Sequence, residues 1–164
     1  MSFADAHVTN VDATGCAHDE RRVLMAVLAH AATGDIERGL AAIGDEFRFT
    51  DLRQAETGLV MLRGRMGGDG APFNIGEATI TRAAVQLASG ERGFAYVLGR
   101  DSKKALLAAL CDALFQTSDY RPRVERHVLT PLRDLQERRR DNARAKTAAT
   151  RVNFFTLVRG EDER

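Results

Sequence analysis

Apolar residues recur at three- and four-residue spacing once the chain leaves its first polar stretch. Leu24, Val27, Leu28 and Ala31 fall on one helical face, and Ile36, Leu40 and Ile43 repeat the pattern in a shorter segment that Gly44 can end. Two packed helices therefore open the domain from Asp19 onward. The period then changes to two: Phe47 and Phe49 alternate with Arg48 and Thr50. Leu59 to Arg65 follows as a second strand, Ala78 to Leu87 as a third and Phe94 to Leu98 as a fourth, with turns at Gly67-Gly68-Asp69-Gly70 and Gly90. Strands joined this closely pair antiparallel, because a parallel pair needs a crossover of about a dozen residues or more. The pattern predicts an α+β fold: an antiparallel sheet of about four strands flanked by N-terminal and C-terminal helices.

Asp101 or Ser102 can cap the next helix, where Leu106, Leu107, Ala109, Leu110, Ala113, Leu114 and Phe115 cover nearly the whole circumference. A helix apolar all round is buried on more than one side, either at the centre of the domain or between this chain and another. Leu107, Leu110 and Leu114 are accordingly interface candidates. Thr130 and Pro131 read as an N-cap and first helical residue, so the stretch from Arg121 divides there into two helical pieces. Glu137 to Asn142 is charged on every face and is either solvated or laid against a partner's polar surface. Apolar residues then return close to the acidic end, and Val152, Phe154, Phe155 and Leu157 form a tail that has to dock somewhere. Residues 1–18 are small, polar and aperiodic, which predicts a disordered leader ahead of a single domain, 19–164, with a C-terminal docking tail.

Composition narrows the function classes. With 29% charged residues but a formal net charge of only +1, the chain has no overall field to steer it onto nucleic acid or an anionic membrane. The longest apolar run, Ala105 to Phe115 broken only by Asp112, falls short of the about 20 residues a membrane span requires. Cys16 and Cys111 lie far apart with no CxxC spacing, as expected of a reduced, cytoplasmic protein. Asp5 and Asp12 stand where a secretory signal would carry basic and then uninterrupted apolar residues.

Candidate chemistry is sparse. Gly67 to Gly70 could wrap an anion with its amides, but the chain continues through Pro72 and Phe73 into a strand rather than into a helix with a Lys-Ser/Thr pair, which favours a hairpin turn. Arg65, Arg82 and Arg100 are the anion-binding candidates, since guanidinium grips phosphate with two parallel hydrogen bonds, although ordinary surface or interface ion pairs are the favoured reading of all three. Glu56, Glu77 and Asp101 have no histidine nearby in sequence to complete an acid–base pair, so no catalytic residue is assigned. Cys111, among leucines and alanines, reads as a core residue, and no His, Cys, Asp or Glu spacing suits a metal. The arginine-rich stretch Arg121 to Lys146, including Arg138-Arg139-Arg140, lacks interleaved aromatics and is interrupted by acids, which disfavours nucleic acid.

Two blocks carry a resemblance. One is the string of short segments and glycine turns from Arg53 to Asp101, including Arg65-Met66-Gly67-Gly68-Asp69-Gly70 and Phe73-Asn74-Ile75-Gly76-Glu77-Ala78. The other is Thr150-Arg151-Val152-Asn153-Phe154-Phe155-Thr156-Leu157-Val158-Arg159-Gly160. Together with their spacing they resemble the PhnG family, a subunit of the bacterial carbon–phosphorus lyase system, from the first helix to the end of the chain. The N-terminal leader and Asn153, where an aspartate is common, depart from the family pattern. The resemblance implies an accessory subunit working with the I subunit, the H and J subunits and the L protein. That assembly displaces adenine from ATP with a phosphonate, giving a ribose 1-phosphonate 5-triphosphate. It also implies no cofactor in this chain: ATP and Mg²⁺ are substrate of the complex, and the iron–sulfur cluster and S-adenosylmethionine belong to the J subunit. In isolation such a chain is expected to form a homo-oligomer, with no nucleic-acid or membrane partner. The competing expectation is that Arg65, Arg82 or Arg100 reaches into a composite transferase site and neutralises triphosphate or phosphonate charge.

Overall fold

The computed structural model describes residues 11–151. Along them the order is α1 (Val11–His30), α2 (Thr33–Ile43), β1 (Phe49–Arg65), β2 (Pro72–Leu87), β3 (Arg92–Leu98), α3 (Ser102–Phe115), α4 (Arg121–Val124), a π-helical turn (Glu125–Leu129) and α5 (Thr130–Ala149). The three strands form one antiparallel sheet in the order β1-β2-β3, with helices before and after it in the chain.

Alternation gives the sheet two unlike faces. In β3, Gly93, Ala95 and Val97 are buried while Phe94, Tyr96 and Leu98 are exposed. α3 lies on the buried face, over Ala83, Val85, Ala95 and Val97, and its own small residues Ala105, Ala108, Ala109 and Ala113 let it settle close. The approach is closest at Gly93, where an added Cβ would stand 1.9 Å from the Ala109 carbonyl oxygen and 2.6 Å from the Ala113 amide nitrogen. Only glycine fits there. The other side of α3 meets α1, α2 and α4, so the core is a continuous layer in which Leu24, Leu28, Ile36, Leu114, Val124, Val128 and Leu129 are essentially inaccessible.

The all-round apolar α3 is therefore the centre of the domain. Leu110 and Leu114 are inside this chain's own core, and Leu107 sits half-buried at its margin. The polar exception in α3 is Asp112. Its carboxylate accepts two hydrogen bonds from the Arg21 guanidinium, at 2.9 and 2.7 Å, and a third from the Phe94 amide at 2.9 Å. One buried carboxylate thus ties α1, α3 and β3 together with its hydrogen-bonding capacity met, as burial demands. The carboxylate also raises the Arg21 pKa further, outweighing partial burial.

Three features differ from the periodicity. The segments around Phe49 and Leu59 to Arg65 are one strand, because the polar residues between them pair with β2 through bulges near Arg53, giving three strands in all. α1 begins at Val11, inside the stretch expected to be a leader. The helical run from Arg121 does not break at Thr130, which is itself helical. Instead the Thr130 amide reaches back to the Glu125 carbonyl, a turn widened by one residue just ahead of Pro131, whose ring cannot donate and would crowd the carbonyl four residues earlier. Beyond Gln136, whose amide donates to the Val27 carbonyl at 2.8 Å, α5 is exposed on every side through Ala149. The tail candidates Val152, Phe154, Phe155 and Leu157 lie outside the described residues.

Candidate functional site

Cross-strand register decides what the three candidate arginines can do together. Arg82 stands opposite Glu56, and its Nε donates to that carboxylate at 2.7 Å; Arg53 donates to the same oxygen at 3.0 Å. Glu56 is thus a shared acceptor on an exposed sheet surface, one carboxylate between two guanidiniums, and Arg82 is already paired. Arg65 pairs with Pro72, ten positions along β2 from Arg82, a separation of roughly 33 Å at strand rise. Arg100 follows Gly99, whose amide donates to the Thr79 carbonyl at 2.9 Å, placing it about 10 Å along β2 from Arg82. Arg65 and Arg100 are exposed and make no ion pair among the described residues. The fold does not bring the three to one point.

The carboxylates are similarly spread. Glu77 faces Met61 at an exposed position of the sheet. Asp101 caps α3: it accepts from the Lys104 amide at 2.8 Å and from the Thr33 hydroxyl at 2.5 Å. Those two bonds, Thr33 foremost, hold its pKa below the ordinary carboxylate value. His30 sits in the last turn of α1 with Nδ1 2.9 Å from the Ala26 carbonyl, and His127 lies in the π-turn. Cys111 is fully enclosed, and burial pushes its thiol up to about 12, where it is neither nucleophile nor metal ligand. Among the described residues, no group of three His, Cys, Asp or Glu is placed to hold a metal ion, and no helix is long and apolar enough to cross a membrane. Gly67 and Gly68, both at positive φ, close the turn between β1 and β2 as a hairpin.

A depression of about 550 Å³ opens between α1 and α4, lined by Glu20, Val23, Phe115, Arg121, Glu125 and Arg133 among others. Its charges cancel within it. Arg121 pairs with Glu20 at 2.6 Å and lies over the Phe115 ring, and Arg133 pairs with Glu125. Among the described residues that line it, no cation is left to attract a phosphate.

Exposed apolar surface is what the fold concentrates instead. Leu59, Val60, Met61, Leu62, Phe73 and Ile75 project along the far part of the β1–β2 hairpin, and Phe94, Tyr96 and Leu98 continue over the outer face of the sheet. The periodicity placed all of these but Phe73 and Ile75 in strands, since β2 begins at Pro72 and not at Ala78, and it marked none of them as a surface. The signal was the unbroken run Leu59-Val60-Met61-Leu62, which lacks the polar alternation of a strand with one wet face.

Comparison with known proteins agrees with this picture of a subunit. The family model described as "Phosphonate metabolism protein PhnG" matches residues 19–160. A protein of Rhizobium meliloti (strain 1021) named "Alpha-D-ribose 1-methylphosphonate 5-triphosphate synthase subunit PhnG" is 48% identical over 160 residues, spanning 96% of this chain and 99% of that protein. With a match over nearly the whole of the folded region and end-to-end similarity to that relative, the chain belongs to the PhnG family of phosphonate metabolism proteins.

Proposed function

We propose that this chain is an accessory, non-catalytic subunit of a synthase that transfers a phosphonate to the ribose of ATP and releases adenine, giving a ribose 1-phosphonate 5-triphosphate. The name of the R. meliloti relative supports the reaction. The observation that carries the accessory role is the contrast between a large exposed apolar surface and ionisable groups that are scattered, paired or enclosed. The partners in this reading are the I subunit, which holds the nucleoside chemistry, with the H and J subunits and the L protein. Cofactors sit on those partners, with the iron–sulfur cluster and S-adenosylmethionine on the J subunit.

Size-exclusion chromatography with the I subunit, followed by an adenine-release assay on ATP and methylphosphonate, tests it. Co-elution and a requirement for this chain support the reading. A chain that neither co-elutes nor affects transfer sinks it.

A second reading is favoured by one observation, the exposure of Arg65 and Arg100 without a carboxylate partner among the described residues. In it, one of these arginines enters a composite site and stabilises phosphate charge during transfer. Arg65→Ala or Arg100→Ala would then abolish transfer in an assembled complex; unchanged turnover removes the reading.

A further inference from the structure

β3 ends opposite Ile80, so beyond that point β1 and β2 continue as a two-stranded ribbon, and from Gly58 to Arg65 it extends about 24 Å past the sheet. Its β1 strand carries Leu59-Val60-Met61-Leu62, an uninterrupted apolar run of the kind found in strands buried on both faces. In this chain none of the four is buried: they are 64, 41, 49 and 45% exposed. Successive side chains leave on opposite faces, so Val60 and Leu62 make one face apolar, while Leu59 and Met61 stand on the other with Thr79 and Glu77 opposite them. Opposite Val60 and Leu62 stand Ala78 and Gly76, which leave that face flat enough for another backbone to come close. Phe73 and Ile75 on β2 are 45 and 64% exposed. A ribbon of two strands is marginal in water unless something packs on it.

We propose that this arm, Leu59 to Arg65 with Pro72 to Thr79, is a plug that enters an apolar groove on a different subunit, with carboxylates rimming the groove where Arg63 and Arg65 sit. The inference rests on reading the chain as one subunit among several. Two observations select the occupant. A second copy laid against the arm covers one face and leaves the other wet, whereas walls on both sides cover the apolar side chains of both faces, with Glu77 left at the margin of one. The arm also gathers six large exposed apolar side chains, Leu59, Val60, Met61, Leu62, Phe73 and Ile75, into one contiguous patch of the kind that marks a protein–protein contact. The charge requirement follows from Arg63 and Arg65, both exposed and without an ion pair among the described residues, just beyond the apolar run, where the arm would emerge at the rim of the groove.

The test uses the full chain and the remaining subunits purified without it. The double variant Val60→Glu/Met61→Glu puts a charge on each face at exposed positions, and Arg63→Glu/Arg65→Glu reverses the tip. Alone, both should melt with the wild type. Against the other subunits, the first should bind roughly 100-fold more weakly and the second roughly 10-fold, as expected when central contacts and then a rim are lost. Wild-type affinity in the Val60→Glu/Met61→Glu variant overturns the arm. A wild-type dimer that this variant dissolves, with entry into the complex unchanged, also overturns it by assigning the arm to a second copy. If the wild-type chain itself fails to join the other subunits, it is the subunit reading that falls, a result separable from either of these.

Discussion

From Ile80 to Leu87, β2 has β1 on one edge, β3 on the other and α3 across one face, and every residue there is buried or half-buried. From Pro72 to Glu77 the same strand has only β1 for company, and every residue is exposed. Backbone pairing runs through both parts, with register shifts on either side of Arg53 in the inner one and one near Leu62 in the outer one. Pairing and burial are thus separable along one strand. The inner part is held by packing, and the outer part by ladder hydrogen bonds that supply little net stability by themselves.

The widest break between the two regions comes from filling the contact under α3. Gly93→Val forces a side chain into the Ala109 carbonyl and should cost more than about 3 kcal/mol in urea unfolding, at the upper end for overpacking. Leu114→Ala, also inner, should cost about 3 kcal/mol by the same measurement. Asp112→Ala strands the Phe94 amide but leaves Arg21, whose side chain is 30% exposed, free to hydrate, so about 2 kcal/mol is expected. Asp101→Ala removes the α3 cap and should cost about 1 kcal/mol.

The Asp101 contribution carries a pH signature. Its pKa is lowered in the fold, so the stabilisation is complete above the unfolded carboxylate value of about 3.9 and is lost as pH falls through the folded value. The stability gap between wild type and Asp101→Ala should be flat from pH 5 to 8 and shrink only below pH 4, by denaturation at each pH. The smallest effect belongs to the arm: Leu59→Ser or Ile75→Ser should shift the stability of the isolated chain by no more than about 0.5 kcal/mol. A loss of 2 kcal/mol there would erase the distinction between the regions.

Much of the inner region was legible because its signals are local. The three- and four-residue spacing of Ile36, Leu40 and Ile43, the cap at Asp101 and the glycine turn at Gly67 and Gly68 each act within a few residues. The need for glycine at position 93 was not legible, since it comes from the helix that arrives above it. Nor was the continuity of β1, whose middle is polar because it pairs at an exposed surface, or the π-turn ahead of Pro131, where the proline signalled a helix start and the chain widened one turn instead. Among the site candidates, Arg82 named itself as an anion ligand by residue type, and only register revealed Glu56 across from it. The run Leu59 to Leu62 was in plain view, but its meaning depended on finding that nothing in the described chain covers it.

The two margins of the sheet are also unequal. At the start of β3 the outward groups are taken: the Phe94 amide by Asp112 and the Arg92 carbonyl by the Gln116 side chain at 2.7 Å. What remains outward, at Tyr96 and Leu98, is too short to template a strand. β1 leaves its whole length as a second margin, and beyond Ile80 the outer margin of β2, from Pro72 to Ala78, is open as well. Edge-to-edge growth is therefore blocked at the inner sheet and left open along the ribbon, so a chain kept waiting for its place in an assembly is exposed to its own polymer through the same segment that carries its uncovered apolar strand.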